Sequence, residues 1–277
     1  MTFLKILKYF QSFKNNHKYL NKPQRILIDK NNMDRNQLNE HIKNEHHISP
    51  LTTYIKELVY GGNDGIVTTF AVVAGFSGAN LGDQALNISI VAVILFGLAN
   101  LFADGAAMGL GNYLSIRSEQ KLYKNYYNKE LIETKNSRDY ELEETELLFE
   151  EQGFSNADAK QLTTIISKNT DFWVRFMVRH ECNMNSPEGD SALLSGMATF
   201  SSFVAFGIIP ILPYFFTLDV SSAFLYSTMS TAGALILLGV IRAYATKDNY
   251  IVSIIETLII GGTAASLAYF VGHLFKA

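Results

Sequence analysis

Gln84–Ile116 reads QALNISIVAVILFGLANLFADGAAMGLGNYLSI, with Asp104 as its single charged residue. A helix needs about 20 mostly apolar residues to cross the hydrocarbon core of a bilayer, and this stretch is longer. At Arg117 the charges return, and 117–190 is polar and charged. The same segregation holds outward in both directions. Residues 1–60 are polar, Gly65–Gly82 is uncharged between Asp64 and Asp83, and 191–277 is almost free of charge. Averaged over the chain, a net charge of −3 and 48% hydrophobic residues describe an ordinary soluble protein. The blocks describe membrane spans with extramembrane parts.

Five spans are predicted, near 63–82, 87–113, 192–215, 221–242 and 250–274. The expected fold class is all-α, because a helix satisfies its own backbone polar groups in lipid. Gly75, Gly78, Gly105, Gly109, Gly111, Gly261 and Gly262 suit close helix packing, and Pro210 and Pro213 should bend or end the third span. Lys and Arg give the orientation. Ten precede the first span, ten lie between the second and third, and Arg242 and Lys247 lie between the fourth and fifth. With five spans all three groups share one face, which is then cytoplasmic. The expected organisation is an N-terminal cytoplasmic segment (1–55), spans one and two (56–116), a cytoplasmic helical insert (117–190) and spans three to five (191–277).

Other classes recede. The single Cys182 leaves no intramolecular disulfide framework and no Cys-rich zinc site. The near-neutral charge makes no case for nucleic acid. The first 28 residues lack the apolar core and cleavage site of a signal peptide. Phe3, Ile6, Leu7 and Phe10 against Lys5 and Lys8 allow a membrane-surface helix, and a disordered tail fits the Asn/Lys-rich sequence as well. His41, His46 and His47 in that tail allow metal binding, although such a cluster is commonly inert.

The insert carries helix signals. Gly109–Glu133 can continue from the second span as one long helix. Glu141–Gln152 follows and is closed by Gly153. Ser155 with Asp158 reads as a capping box opening a helix to Ser167, and Asp171–Met184 reads as another. The insert is too small for a separate enzyme with a large pocket. Its acids come in pairs: Glu130 with Glu133 and Glu141 with Glu144, each three apart and so on one helix face. Carboxylates gathered this way repel unless cations lie between them, and divalent metals favour oxygen ligands. Met177, His180, Glu181 and Met184 recur at helical spacing, and a thioether shifts preference toward transition metals. A solvated acidic surface and a Met stripe buried as core remain the other readings of the spacing alone.

Within the spans, Asp64 sits in the polar run Gly61-Gly62-Asn63-Asp64-Gly65, and Asn100, Asp104 and Met108 line one stripe of the second span. A carboxylate at bilayer depth costs on the order of 2.5 kcal/mol or more, so it usually faces a bundle interior or a water-filled path. A stripe of carboxylate and thioether can hand on a partly dehydrated ion; a buried cap and a packing Met are the alternatives. Glu256, one turn inside the last span, can snorkel to the interface.

At this point the residues resemble a known family. Asp64-Gly-Ile-Val-Thr-Thr-Phe-Ala-Val-Val-Ala-Gly75 is similar to the first-helix signature of the vacuolar iron transporters. Ala103-Asp-Gly-Ala-Ala-Met-Gly-Leu-Gly-Asn-Tyr-Leu-Ser115 is similar to the second, and Ile209-Pro-Ile-Leu-Pro-Tyr214 fits the third span. The resemblance runs from about Tyr54 to the C-terminus. It implies proton-coupled export of cytosolic Fe²⁺, or Mn²⁺, by a homodimer with the path between subunits. It implies no cofactor beyond the transported ion. By the resemblance Asp64 and Met108 are the pathway acid and thioether, with Asn100 and Asp104 beside them. Glu130, Glu133, Glu141, Glu144, Met177 and Glu181 match the metal-binding positions of the insert. Asn100 stands where plant members carry an acid, Val178 replaces a usual second Met, and Asn112 replaces a frequent acid or Gly.

The expected partners are thus divalent metal ions, protons, the lipid bilayer and a second copy of the chain. A bacterial inner membrane is the expected setting, or a vacuolar membrane if the chain is eukaryotic. A tethered ferritin-like oxidase would need Glu-x-x-His pairs, which the insert lacks. A sensor or scaffold without transport is the remaining alternative. Thioether ligands favour Fe²⁺ over Mn²⁺, while carboxylates suit both.

Overall fold

The computed structural model describes residues 34–45, 50–79, 86–187, 189, 191–217 and 219–274. The N-terminal amphipathic pattern, His46, His47, the 80–85 loop and Lys276 fall outside these residues. The chain divides into two units, Met1–Ser49 and Pro50–Ala277. In the first, α1 (Arg35–Glu45) is a polar helix, and its Arg35 N–H donates to Asp34 Oδ1 at 2.6 Å.

The second unit is helical at every regular element described. After a single turn, α2 (Pro50–Thr53), come α3 (Ile55–Ala79), α4 (Leu86–Asn136), α5 (Arg138–Glu151), α6 (Asn156–Ile166), α7 (Thr170–His180), α8 (Ala192–Gly207), the short α9 (Leu212–Phe216), α10 (Val220–Thr246) and α11 (Tyr250–Leu274). Helices α4, α10 and α11 are long and apolar enough to cross a membrane, and α8 is a shorter apolar helix. In α3, Lys56, Glu57, Asn63 and Asp64 dilute the apolar run. The first predicted span thus falls inside a helix that starts eight residues before the expected boundary at 63.

α3 is the hub. It packs against α8, α11, α10 and α4, and α4 packs on α8. Small residues set the approach. A Cβ on Gly61 would lie 2.6 Å from the Thr199 carbonyl oxygen, and one on Gly196 would lie 2.7 Å from that of Gly109. Backbones this close are how helices associate in lipid, where no hydrophobic force drives them together. Ile66, Ala234, Leu235 and Leu238 form one buried cluster; Phe70, Val73, Ile90, Val93 and Tyr214 anchor another. Outward-facing side chains such as Leu95, Phe102, Leu225, Ile259 and Phe270 are apolar and exposed. That is the surface a bilayer covers.

The third predicted span does break at its prolines. α8 ends at Gly207, a turn carries Pro210, and α9 begins at Leu212 with Pro213 in its first turn. Carbonyls released by such a break need partners at membrane depth. α10 supplies them: Ser227 Oγ donates to Pro210 O at 2.6 Å and Ser230 Oγ to Ile209 O at 3.3 Å. Beyond, Arg242 Nη2 meets Glu256 Oε2 at 2.7 Å, so Glu256 is paired with its neighbouring helix.

α4 runs 51 residues without interruption, about 77 Å at 1.5 Å per residue. A bilayer core needs less than half of that. The part after Arg117 is polar and joins α5, α6 and α7 in a small bundle. Ser155 caps α6, accepting from the Asp158 N–H at 3.2 Å, as its motif predicts. Gly153 takes φ +96° after α5, where a left-handed turn favours glycine. Asn169 caps α7 through the Phe172 N–H. Tyr127 donates to Asp171 at 2.7 Å and pins α4 to α7.

Candidate metal path and collecting site

Two groups of polar side chains stand along the second unit. The first lies between α3, α4 and α8. A cleft of about 360 Å³ is lined by Lys56, Glu57, Tyr60, Met108, Gly111, Asn112, Ser115 and Thr199. The neighbouring turns explain its shape. The α3–α8 glycine contacts bring the backbones together, and Asn112 Nδ2 donates to Thr199 Oγ1 at 2.9 Å across α4 and α8. Met108 thus faces a polar cleft rather than only apolar core.

Glu57 was not among the sequence candidates. It is only 9% exposed and shares the cleft with Met108. The available signal was its spacing: Glu57 and Asp64 are seven apart, two turns on one face of α3. The polar composition around it concealed that signal. Deeper along the same face, Asp64 is half-buried and feels the charge of Asp104 on α4. Among the described residues no basic side chain pairs with either acid. Asn100 lies one turn beyond Asp104, also half-buried.

The second group lies in the polar bundle. Glu130 projects from α4 and Glu141 from α5, and both are buried at 3% and 5% exposure. Their carboxyls share a hydrogen bond, and Glu130 Oε1 is buried with no hydrogen-bond partner. Burial, followed by the charges of Glu141 and Glu181, pushes Glu130 up to about 8. Burial also raises Glu141, against the bond from Glu130. Burial and then Glu181 and Glu133 raise Glu144. Five carboxylates from α4, α5 and the end of α7 therefore share one field. Lys129 Nζ reaches Glu133 at 3.5 Å at its exposed edge. Cys182 stands within reach of the same charges, and burial pushes its thiol up.

Among the described residues, no three Asp, Glu, His or Cys side chains stand close enough together to close around an ion. Uncompensated like charges favour that spacing. Met177 is fully buried beside the cluster, and Thr145 Oγ1 lies 3.1 Å from its Sδ. The predicted Met177–Met184 helical face is cut short. α7 stops at His180, Glu181 takes the C-cap, and Asn183 adopts φ +52°. Glu181 still turns its charge on the cluster. His180 instead packs at a tilt against Phe176, with ring centroids 4.4 Å apart, and Met184 packs against the cluster of Tyr123, Val174 and Val178.

Comparison with known proteins bears on what these groups serve. Residues 55–273 match the model of the VIT family. "Vacuolar iron transporter 1" of Tulipa gesneriana is 32% identical over 234 residues, spanning 84% of this chain and 91% of that protein. "Vacuolar iron transporter" of Toxoplasma gondii is 32% identical over 241 residues, 84% and 78% of the two chains. "Vacuolar iron transporter 1" of Oryza sativa subsp. japonica is 30% identical over 215 residues, 78% and 82%. The matched region takes in both groups of side chains.

Proposed function

This chain belongs to the VIT family, and from that premise we propose that it exports Fe²⁺, with Mn²⁺ as a second substrate, across a membrane in exchange for protons. The relatives' names supply iron as the substrate. The observation that carries the reading is Glu130: a buried carboxyl with an unpartnered oxygen, set among four other acids. Burying such a group without compensation is unfavourable, and a divalent cation supplies the compensation.

In the reading, Glu130, Glu133, Glu141, Glu144 and Glu181 collect the ion in the cytosol with the Met177 thioether. A proton held by Glu130 near neutral pH leaves as the ion arrives, because metal and proton compete for one oxygen. The ion enters the cleft at Glu57 and Met108 and passes to Asp104 and Asp64, with Asn100 one turn further. Protonation on the far side releases it. Five spans follow, with α3, α4, the α8–α9 pair, α10 and α11 crossing and the N-terminus and insert cytoplasmic. This arrangement returns all three basic groups to one face. The working unit is a homodimer with the path between subunits. A bacterial inner membrane suits the chain, or a vacuolar one if it is eukaryotic.

The test is reconstitution into liposomes with a pH dye inside. Saturable Fe²⁺ entry with opposite proton movement is expected. Absence of flux for both Fe²⁺ and Mn²⁺ under every proton gradient would leave the scaffold reading in its place.

A further inference from the structure

Beside the carboxylates of the insert lies a buried chain of contacts. Trp173 and Met177 are one turn apart on α7, and Thr145 faces them from α5; all three side chains are fully buried. The Trp173 Nε1–H donates to Thr145 Oγ1 at 2.8 Å. The Thr145 hydroxyl has one proton and two acceptors in range, Met177 Sδ at 3.1 Å and the Glu141 carbonyl oxygen at 2.6 Å. Trp173 is itself held: the Arg138 guanidinium lies over its ring at 5.0 Å, and Arg138 Nη2 donates to Ser167 O at 3.1 Å.

We propose that Thr145 is a positioning residue for the Met177 thioether, aiming its sulfur at the carboxylate cluster and so setting the insert's preference for softer divalent ions. The proposal rests on reading the cluster as a metal-collecting site and adds how that site discriminates. Met has three rotatable bonds and adapts to whatever space it meets. A methionine meant only to fill core needs no polar neighbour. A methionine meant to ligate needs one orientation, and a hydroxyl on its sulfur supplies it.

The geometry also explains why that hydroxyl does not compete with the ion. Its acceptor side is occupied by the indole, so its proton has only two places to go. When a metal takes the sulfur lone pair, the proton turns to the Glu141 carbonyl, already in range. The hydroxyl keeps a partner in both states, and no buried polar group is stranded. Glu141 lies one turn before Thr145 on the same face, so a thioether fixed to Thr145 is fixed relative to that carboxylate. Groups that orient a ligand without touching the metal commonly change its affinity by about 10- to 100-fold. Here the effect should be selective, because carboxylates bind hard and soft ions alike while the sulfur favours the soft one.

The test uses the full-length protein in detergent, titrated with Cd²⁺ as the soft probe and Mn²⁺ as the hard one. Trp173, the sole tryptophan, reports through its emission, and equilibrium dialysis gives the affinities. Thr145→Val should weaken Cd²⁺ by about tenfold and Mn²⁺ by roughly twofold or less; Thr145→Ser should restore the wild-type ratio. In a Met177→Leu background, Thr145→Val should leave the Cd²⁺/Mn²⁺ ratio where Met177→Leu alone puts it. An unchanged ratio in folded Thr145→Val overturns the proposal, as does a further change in the Met177→Leu background. If Thr145→Val does not fold, Thr145→Ala takes its place: the same selective loss of Cd²⁺ affinity is expected, and an unchanged Cd²⁺/Mn²⁺ ratio overturns the proposal. Wild type that binds neither ion removes the collecting site itself, and the proposal with it.

Discussion

The two groups of carboxylates differ in how they are stored. Those of the polar bundle are concentrated: five acids from three elements share one field. Those between α3, α4 and α8 are dispersed, with Glu57, Asp64 and Asp104 strung along two helices and separated by turns. Water explains the contrast. In the bundle the edge is wet, so Glu133 can lean on Lys129 and the buried members can share protons. In the proposed five-span arrangement this second group lies at bilayer depth, where each additional charge costs about 2.5–3.5 kcal/mol even on lenient scales, which accounts for acids that are few and spaced. A concentrated group favours capture; a dispersed one favours passage, since an ion bound by few ligands leaves readily.

That contrast can be broken experimentally. The largest effect belongs to the sparse group, where no neighbour can substitute. Asp64→Asn should reduce metal-driven proton flux in proteoliposomes by about 100-fold or more, the scale of a buried charge of several kcal/mol. Flux near wild type would show that the path does not need this acid. Next comes pH. Glu130, held at about 8 instead of 4.5, keeps its proton in the folded protein below 8. Metal binding at the insert must then expel it, so affinity should fall by up to about tenfold per unit as pH drops from 8 to 6. Without metal the sign reverses for stability. The folded state holds a proton that the unfolded chain gives up near 4.5, so stability falls as pH rises through 4.5–8. Isothermal titration and thermal melts across that range check both.

The concentrated group should tolerate single losses better. Glu130→Gln should weaken uptake at low metal by about tenfold, keep the maximal rate and flatten the pH dependence between 6 and 8. Loss of the maximal rate would place Glu130 in the path itself. The smallest effect is expected at Arg242–Glu256, a pair that serves neither group. Its side chains are 30% and 48% exposed, and solvent screening holds such pairs to at most about 1 kcal/mol. Arg242→Gln should therefore shift the melting point by a degree or two and leave transport intact.

What was legible in the sequence follows the same physics. Charge segregation marked α4, α10 and α11, because lipid tolerates no ambiguity. The continuation of α4 into the insert and the Ser155 cap were readable from local pattern. The end of α7 was not, since Asn183 turns the chain while the apolar and acidic spacing runs on to Met184. Glu57 escaped because a single acid in a polar stretch carries no mark until a fold buries it. The serines that satisfy Ile209 and Pro210 escaped for a related reason. The prolines announce a break, but the partners sit 17 and 21 residues away on another helix. Thr145 is the extreme case: nothing in a Thr flanked by Glu suggests a sulfur above it.

The unbroken length of α4 has a mechanical consequence. Met108 and Glu130 ride on one rod, 22 residues or about 33 Å apart along its axis. With no loop between them to absorb strain, a tilt of about ten degrees pivoting near Met108 swings the far end by about 6 Å, enough to pry Glu130 from Glu141. In the proposed transport cycle, loading at the tip and opening at the fulcrum would be two ends of a single stroke, and a flexible hinge spliced into the exposed midsection would uncouple them.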